Sequence, residues 1–360
     1  MPVLDDLRGI AILLVVVYHG VTTAFGFVPP EGGTFWLSFV YAGNTGVTLF
    51  FLLSGILVSR PFFTASAVGR AVDLRHYALQ RALRILPPYY LMVVLGVVLT
   101  GHYERIPQAL AFVAWGQDIG VFSNVWWSLA TEIQFYLLLP LAFLLRARGR
   151  GWLIALLLAW LAVFVALCMR WISFGLSGNI YWVLSLGGKL PAFLVGVAIA
   201  WSHENGRLPR ISILPVSGAL ILVAGLLACF LEVMVARGVV EYSWKQPWVI
   251  IPESLLWGAV ALLLLAGEVS ASGPLSWVLR YLGKISYSLY LVHLPLIVFC
   301  LSQQARLPVV EHFPAWGRLV LGWGLALLAA HLCHWLIEMP FLSLKRRYSS
   351  KLQDSEALPV

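Results

Sequence analysis

The first apolar stretch of the chain carries two ionisable side chains that could take part in chemistry. Residues 4–20 read LDDLRGIAILLVVVYHG, so Arg8 and His19 flank a run of aliphatic residues. At about 100° per residue, the eleven-residue spacing returns them to nearly the same helix face, roughly 16 Å apart along the axis. An imidazole can take or give a proton near neutral pH, and a guanidinium can bind an anion.

The composition indicates that this stretch crosses a membrane. Of the 360 residues, 61% are hydrophobic and 11% are charged, and the mean hydropathy is +0.88. Soluble domains carry roughly 25% charged residues. Ionisable groups are costly inside a bilayer, so Arg8 and His19 become functional candidates. The alternatives are that Arg8 only follows the positive-inside bias and that His19 is a hydrogen-bonded core residue.

Ten apolar windows are long enough, at about 20 residues, to cross a bilayer as helices. They predict an all-α, polytopic membrane protein: a bundle of about ten transmembrane helices in one domain (1–347), followed by a disordered cytoplasmic tail (348–360). We expect the half-apolar stretch 106–122 to be an interfacial loop or a re-entrant segment. The windows are 9–28, 36–58, 85–101, 125–145, 152–172, 181–201, 211–235, 249–268, 285–303 and 318–338.

The distribution of basic residues predicts the orientation. With the N-terminus inside, the inside segments hold 17 basic residues and the outside segments hold 6. This bias predicts a multi-pass protein of the cell membrane with both termini in the cytoplasm. Acids rather than basic residues precede the first apolar run, and no small-residue cleavage site follows it, so we expect the first helix to remain in the mature protein. The basic residues form short clusters between apolar runs, which does not favour nucleic-acid binding.

Several further polar residues fall inside the windows. Glu132 shares a helix face with Ser128 and Tyr136, at i−4 and i+4, and a buried carboxylate usually has a basic partner. Arg8 or a histidine could supply that partner. The alternative role for Glu132 is a structural ion pair.

Two other windows carry polar side chains with a functional and a structural interpretation. Ser286, Tyr290 and His293 follow i, i+4, i+7 spacing on one face. Lys189 either extends to the interface or belongs to a site. Ser54 is small enough to allow close helix packing, which we favour over a chemical role.

A metal site is the competing interpretation of the last window. His331, His334 and Glu338 follow H-x2-H-x3-E spacing, which would place the three side chains near one helix face. One helix supplies too few ligands for a metal ion, so we expect no metal. The four cysteines lie in apolar runs without CxxC spacing and are interpreted as buried apolar residues.

Six sequence blocks follow one another along nearly the whole chain. They are LDDLRGIAILLVVVYHG (4–20), GVTLFFLLSGILVSR (46–60), QRALRILPPYYL (80–91), WSLATEIQFYLLLPL (127–141), LGKISYSLYLVHLPLI (282–297) and LIEMPF (336–341). In content and order these blocks resemble those of the acyltransferase family 3 integral-membrane proteins.

The resemblance implies a membrane O-acyltransferase that moves an acyl group, by default acetyl, from acyl-coenzyme A to a hydroxyl of a sugar, glycolipid or similar acceptor. The coenzyme would be a co-substrate, with no permanently bound cofactor. His19 would act as the general base, and Arg8 and Glu132 would supply positioning or charge balance. Arg81 and Arg84, three residues apart, would bind the coenzyme phosphates, because a guanidinium pairs with phosphate in a bidentate way. Their alternative role is as a topology signal.

Supporting residues carried over from the family blocks are Tyr290, His293 and Glu338. The family usually has glycine where this chain has Asp6, which leaves open whether Asp5 or Asp6 contacts Arg8. Many relatives also carry an extra hydrolase-like domain, and we expect any second transfer step here to need a separate partner.

The rival function is that of a transporter or flippase, which would move an acyl donor or glycolipid without chemistry. Intramembrane charges and ten helices suit that function equally well. It would not require the ordered blocks, and the sequence has no inverted repeat of the kind found in many transporters.

Overall fold

The computed structural model describes residues 1–28, 35–112, 122–208, 210–237, 246–269, 272–302 and 313–344. Every regular element in these ranges is helical, and ten of the helices are long and apolar enough to cross a membrane. The predicted all-α bundle of about ten membrane helices is therefore confirmed. The predicted tail (348–360) and residues 113–121 of the predicted re-entrant stretch lie outside the described residues.

Within the described residues, three 3₁₀ turns (Tyr103–Arg105, Asn124–Trp126 and Pro247–Val249) lie between the helices. The last helix continues into a π-helical turn at His334–Glu338 and stays helical to residue 344. The α-helices are α1 (Pro2–Phe25), α2 (Phe35–Tyr41), α3 (Thr45–Ala67), α4 (Leu74–Thr100), α5 (Ile106–Leu110), α6 (Trp127–Arg148), α7 (Arg150–Cys168), α8 (Gly175–Leu184), α9 (Leu186–Glu204), α10 (Ile213–Ala236), α11 (Ile250–Ala266), α12 (Gly273–Leu301) and α13 (Ala315–Cys333).

Helices α1, α3, α9 and α12 form the interior of the bundle. Helix α1 packs against α12 and α3, α3 packs against α9, and α12 packs against α13. In their most apolar segments, 67% of the residues of α3 and 61% of those of α12 are buried, against 11% for α7. A helix that is apolar on every side and exposed in the protein is suited to contact lipid. Polar groups on the interior helices must therefore face other helices or internal cavities.

Glycines let the interior helices approach closely. A Cβ atom added at Gly9 would collide with the backbone of Leu279 in α12, and one added at Gly283 would collide with the backbone of Asp5 in α1. Gly55 of α3 and Gly196 of α9 also face each other, and a Cβ atom added at either glycine would collide with the backbone of the other helix. Small residues allow such contact between membrane helices, where packing rather than the hydrophobic effect drives association.

The predicted span 181–201 is interrupted at Ser185, which has the extended backbone angles φ −77° and ψ 176°. Neighbouring helices satisfy the backbone groups that the interruption releases. The hydroxyl of Thr131 donates to the carbonyl of Leu184 at 2.5 Å, and the N–H of Leu186 donates to Gln134 at 2.8 Å. In a bilayer, irregular backbone is tolerated only where protein groups replace water in this way.

Several predicted window boundaries were wrong because hydropathy alone detects only the apolar part of a helix. The window 85–101 belongs to a helix that starts at Leu74, where the side chain of Asp73 accepts hydrogen bonds from two backbone N–H groups. Helix α12 starts at Gly273 rather than at 285, and the window 36–58 is divided between α2 and α3. The extension of α4 places Arg81 and Arg84 well inside a regular helix.

We predict that Gly196→Ala destabilises the bundle, because the new methyl group would lie 3.0 Å from the Cα of Gly55 and closer still to the carbonyl of Leu52. Overpacking of this kind costs about 1–3 kcal/mol. Gly225→Ala in α10 is the matched control, since a Cβ there meets nothing within 4 Å. Thermal unfolding in detergent should show a lower midpoint for Gly196→Ala alone. Equal midpoints for the two variants would contradict the close packing of α3 and α9.

Candidate active site

Two cavities lie along helix α1. Arg8 lines the first cavity and His19 lines the second, and the helical rise separates the two residues by roughly 16 Å along the axis. Val47, Phe51 and Tyr290 line both cavities and form the wall between them. The predicted site residues are therefore divided between two chambers.

The first cavity has a volume of about 730 Å³, including its mouth. Arg8 from α1 and the pair Arg81 and Arg84 from α4 line it, and Glu132 from α6 is the single acid among its described lining residues. The excess of positive charge suits this cavity to an anionic ligand. Its other polar lining residues are Ser54, Ser128, Tyr136, Ser286, Tyr287 and Tyr290.

Arg81 is held in place by two aromatic rings. Its guanidinium carbon lies 5.7 Å from the ring centre of Tyr77 and 5.6 Å from that of Tyr136, which are cation–π distances. Its Nε is buried and has no hydrogen-bond partner among the described residues. A buried donor without a partner is costly unless a ligand supplies the acceptor. Arg81 is thus oriented for an anion.

Arg8 donates a hydrogen bond to the hydroxyl of Ser286 at 3.0 Å and forms no ion pair with a described acid. Asp6 instead pairs with Arg280 at 3.1 Å and is buried. Of the two candidate acids, Asp6 is therefore committed elsewhere, while Asp5 acts on the charge of Arg8 through space. The direct hydrogen-bond partner of Arg8 is a hydroxyl, because Ser286 of α12 faces α1.

Glu132 has a different set of partners from the predicted one. Its carboxylate accepts hydrogen bonds from the hydroxyls of Ser54 and Tyr136 rather than from a basic side chain. Ser128, one turn earlier on the same helix, also lines the cavity, as the shared face predicted. Ser54, for which packing was the favoured interpretation, also donates its hydroxyl to a carboxylate on another helix.

The second cavity has a volume of about 1470 Å³, including its mouth. Among its described lining residues, Lys189 from α9 and Glu253 from α11 are the two that carry permanent charge. They interact with each other, and the ammonium of Lys189 also lies 5.7 Å from the ring centre of Trp127. Lys189 therefore faces the interior of the bundle rather than extending to the interface.

Glu253 is the residue that sequence reasoning missed. It follows the apolar stretch WVIIP and precedes another long apolar run, so an acid inside a predicted span was the available sign. The hydroxyls of Thr45 and Thr48 on α3 interact with its carboxylate. The indole N–H of Trp257 donates in turn to the hydroxyl of Thr45 at 2.7 Å.

His19 and His293 form a hydrogen-bonded pair whose proton positions are set by backbone carbonyls. The carbonyl oxygen of Val15 lies 2.9 Å from Nδ1 of His19, and that of Tyr290 lies 2.9 Å from Nδ1 of His293. Because a carbonyl oxygen can only accept, each neutral ring carries its proton on Nδ1. Nε2 of His293 then accepts from Nδ1 of His19 at 3.3 Å. Nε2 of His19 is left with its lone pair available as a base.

Tyr290 borders both cavities and is held in place by hydrogen bonds. Its hydroxyl donates to the carbonyl of Val125 at 2.6 Å and is hydrogen-bonded to Ser128, also at 2.6 Å. His293 follows on the next turn of α12 and is fully buried. The predicted face of Ser286, Tyr290 and His293 thus reaches from the first cavity to the histidine pair.

The last helix does not gather its three candidate metal ligands. His331 is hydrogen-bonded to Tyr281 at 2.6 Å, whereas His334 bonds to Glu338 at 2.9 Å. Glu338 also accepts from Ser288 at 2.9 Å. His331 therefore lies apart from the buried His334–Glu338 pair. The described residues contain no group of three metal-binding side chains. Glu338 acts on the charge of Arg8 through space.

Comparison with known proteins gives the family. The sequence model of the acyltransferase domain family matches residues 2–337, nearly the whole chain. The chain belongs to this family. No solved structure is significantly similar to it.

Three curated proteins similar to this member of the family are named as O-acetyltransferases. The chain is 26% identical to peptidoglycan O-acetyltransferase OatA of Listeria monocytogenes, covering 94% of this chain and 55% of that protein. It is 28% identical to the putative peptidoglycan O-acetyltransferase YrhL of Bacillus subtilis, covering 96% of this chain and 56% of that protein. It is 26% identical to O-acetyltransferase OatA of Staphylococcus aureus, covering 86% of this chain and 53% of that protein. The chain spans about half the length of these relatives.

We predict that His293→Leu slows acyl transfer about tenfold, because the Nδ1–H of His19 keeps the carbonyl of Val15 but loses its second acceptor, Nε2 of His293, which helps to hold the ring in one orientation. His293→Gln keeps an acceptor oxygen in a side chain of similar size and should retain more activity. Turnover at saturating donor, with the unfolding midpoint of each variant, measures the effect. Equal loss in two stably folded variants would show that the contact between the histidines does not orient His19.

Proposed function

We propose that this protein is a membrane O-acyltransferase that moves an acetyl group from acetyl-coenzyme A, bound in the first cavity, to a carbohydrate hydroxyl in the second cavity. The observation that carries the proposal is the pair of cavities along α1, one lined by Arg8 and two further arginines and the other by His19. A single helix thereby connects an anion-binding chamber to a chamber that contains a base.

The donor suits the first cavity in charge and length. Coenzyme A carries phosphates, which guanidinium groups bind in a bidentate way, and the unpartnered Nε of Arg81 supports a ligand there. Its flexible arm can extend along α1 from Arg8, and the thioester would pass Val47, Phe51 and Tyr290 to approach His19. Arg8 and Glu132 then act in donor binding and orientation, since they lie about 16 Å along the helix axis from the base.

The distribution of basic residues in the sequence supports transfer from the first cavity to the second. Helix α3 runs antiparallel to α1, and its Val47 lines both cavities whereas Ser54 lines the first. With the N-terminus inside, the arginine-lined cavity faces the cytoplasm, where coenzyme A thioesters are made. The second cavity then faces outward, and both termini are cytoplasmic.

In the transfer step, Nε2 of His19 takes the proton of the acceptor hydroxyl while the hydroxyl oxygen attacks the thioester carbonyl carbon. The tetrahedral intermediate collapses, the carbon–sulfur bond breaks, and an ester forms. The coenzyme thiolate leaves and the proton on His19 returns to it. The carbonyl of Val15 keeps the proton of His19 on Nδ1, and His293 is its second acceptor, so that Nε2 of His19 is available as the base.

The acceptor we propose is a cell-wall carbohydrate. Two relatives support this class by their names: the one from Listeria monocytogenes is named a peptidoglycan O-acetyltransferase, and the one from Bacillus subtilis a putative peptidoglycan O-acetyltransferase. Membership of the acyltransferase domain family favours transfer chemistry over the transporter alternative.

Donor binding tests the proposal with a matched control. Arg84→Ala should raise the dissociation constant of acetyl-coenzyme A about ten- to a hundred-fold, because a charged hydrogen bond contributes ~1.5–3 kcal/mol. Arg70→Ala, in the exposed connection between α3 and α4, should change it little. Calorimetric titration in nanodiscs measures both. Equal effects of the two substitutions would leave the arginine pair as a topology signal only.

The same preparations test the base. His19→Gln keeps hydrogen bonding but cannot take a proton, so we expect it to bind acetyl-coenzyme A normally and to transfer no acetyl group to peptidoglycan oligosaccharides. Mass spectrometry of the sugars detects the product. Substantial transfer by His19→Gln would show that His19 is structural.

A further inference from the structure

The second cavity is lined by two oppositely charged residues that the transfer step does not use. Lys189 of α9 and Glu253 of α11 interact through space in apolar helices, where ionised groups are expensive. A pair that served only to join two helices would be expected to lie sealed between them. Both side chains instead line a cavity, together with His19. A ligand in that cavity would therefore meet both charges.

These two opposite charges make this cavity electrically different from the first one. The charges of Lys189 and Glu253 cancel, and no other described lining residue carries permanent charge. An anionic group would gain little in such a chamber, because the carboxylate repels it about as strongly as the ammonium attracts it. The first cavity has three guanidinium groups against one carboxylate. The two chambers are thus suited to ligands of different charge.

The polar groups of the second cavity match the hydroxyls of a sugar. The ammonium of Lys189 offers three donors and the carboxylate of Glu253 offers two acceptor oxygens, while Asn44 and Gln246 offer both kinds. Each hydroxyl of a sugar both donates and accepts, so neighbouring hydroxyls can bind an adjacent donor and acceptor together. The contacts of Glu253 with Thr45 and Thr48 hold its carboxylate in one orientation.

Size and position agree with a sugar acceptor. The second cavity, at about 1470 Å³ with its mouth, has room for a sugar ring. His19 lines the same chamber, so a hydroxyl bound there can approach the base.

We propose that the second cavity is the acceptor site, where the Lys189–Glu253 pair binds an uncharged sugar ring and presents one of its hydroxyls to His19. The proposal rests on the proposed function, because it assigns the acceptor of that reaction. It adds the chemical class of the acceptor unit and two residues that select it. Lys189 and Glu253 touch the substrate and are not the base.

The test uses the full-length chain in nanodiscs, with chitotetraose as an uncharged sugar and a hyaluronan tetrasaccharide as an anionic one. Saturation-transfer NMR measures sugar binding, and calorimetric titration measures acetyl-coenzyme A binding. We expect the wild type to bind chitotetraose and to bind the hyaluronan fragment more weakly. Tighter binding of the anionic sugar, or no binding of chitotetraose, would overturn the proposal.

Glu253→Gln should weaken chitotetraose binding about tenfold, since a charged hydrogen bond is replaced by a neutral one. Acetyl-coenzyme A binding should stay unchanged. Glu232→Gln is the matched control, because Glu232 lies in the apolar helix α10 and lines neither cavity. Equal sugar affinity in the two variants would remove Glu253 from the acceptor site.

The double variant Lys189→Glu, Glu253→Lys separates binding from a structural role. It keeps one lysine and one glutamate in the cavity but exchanges their positions. We therefore expect a wild-type unfolding midpoint, with sugar binding still weakened. Recovery of sugar binding would show that the pair only joins α9 and α11. Failure of the proposed function would look different: sugar binding would respond to Glu253→Gln, but the wild type would transfer no acetyl group.

Discussion

The cost of placing a charge inside a bilayer is the constraint on which this structure depends. An isolated ion in hydrocarbon is strongly unfavourable, so each ionised group among apolar helices must pair or face a polar cavity. Arg8, Arg81 and Arg84 face one cavity, and Lys189 and Glu253 face the other. The cavities lie where these side chains converge, and the two cavities differ in charge.

Close packing by glycine turns this constraint into a defined geometry. Gly9 and Gly283 bring α1 and α12 into backbone contact. Along this line of contact, Arg8 meets Ser286 at one level and His19 meets His293 at another. A bulkier residue at either glycine would separate α1 from α12 and would break the contact between His19 and His293. Helix packing and the chemistry of the site therefore depend on the same contacts.

The sequence was informative wherever a property is local to one helix. Hydropathy located ten spans, and helical periodicity placed Ser128, Glu132 and Tyr136 on one face, which the structure confirms. Relations between helices could not be predicted. The partner of Glu132, the coupling of His19 to His293 and the division of the residues between two cavities depend on how distant segments dock. Glu253 was missed because a single acid in an apolar run has no local pattern around it.

The central claim is that the acetyl group passes from the arginine-lined cavity to the histidine-lined cavity, across the wall that contains Tyr290. The most direct test is the sidedness of transfer in proteoliposomes with one orientation, established by labelling a cysteine at Ser66, which is exposed at the end of α3. Acetyl-coenzyme A is supplied on the Ser66 side and chitotetraose on the opposite side. The account predicts that acetylated sugar forms on the opposite side, while the coenzyme thiol is released on the Ser66 side. Transfer that occurs only when donor and sugar are on the same side would contradict it.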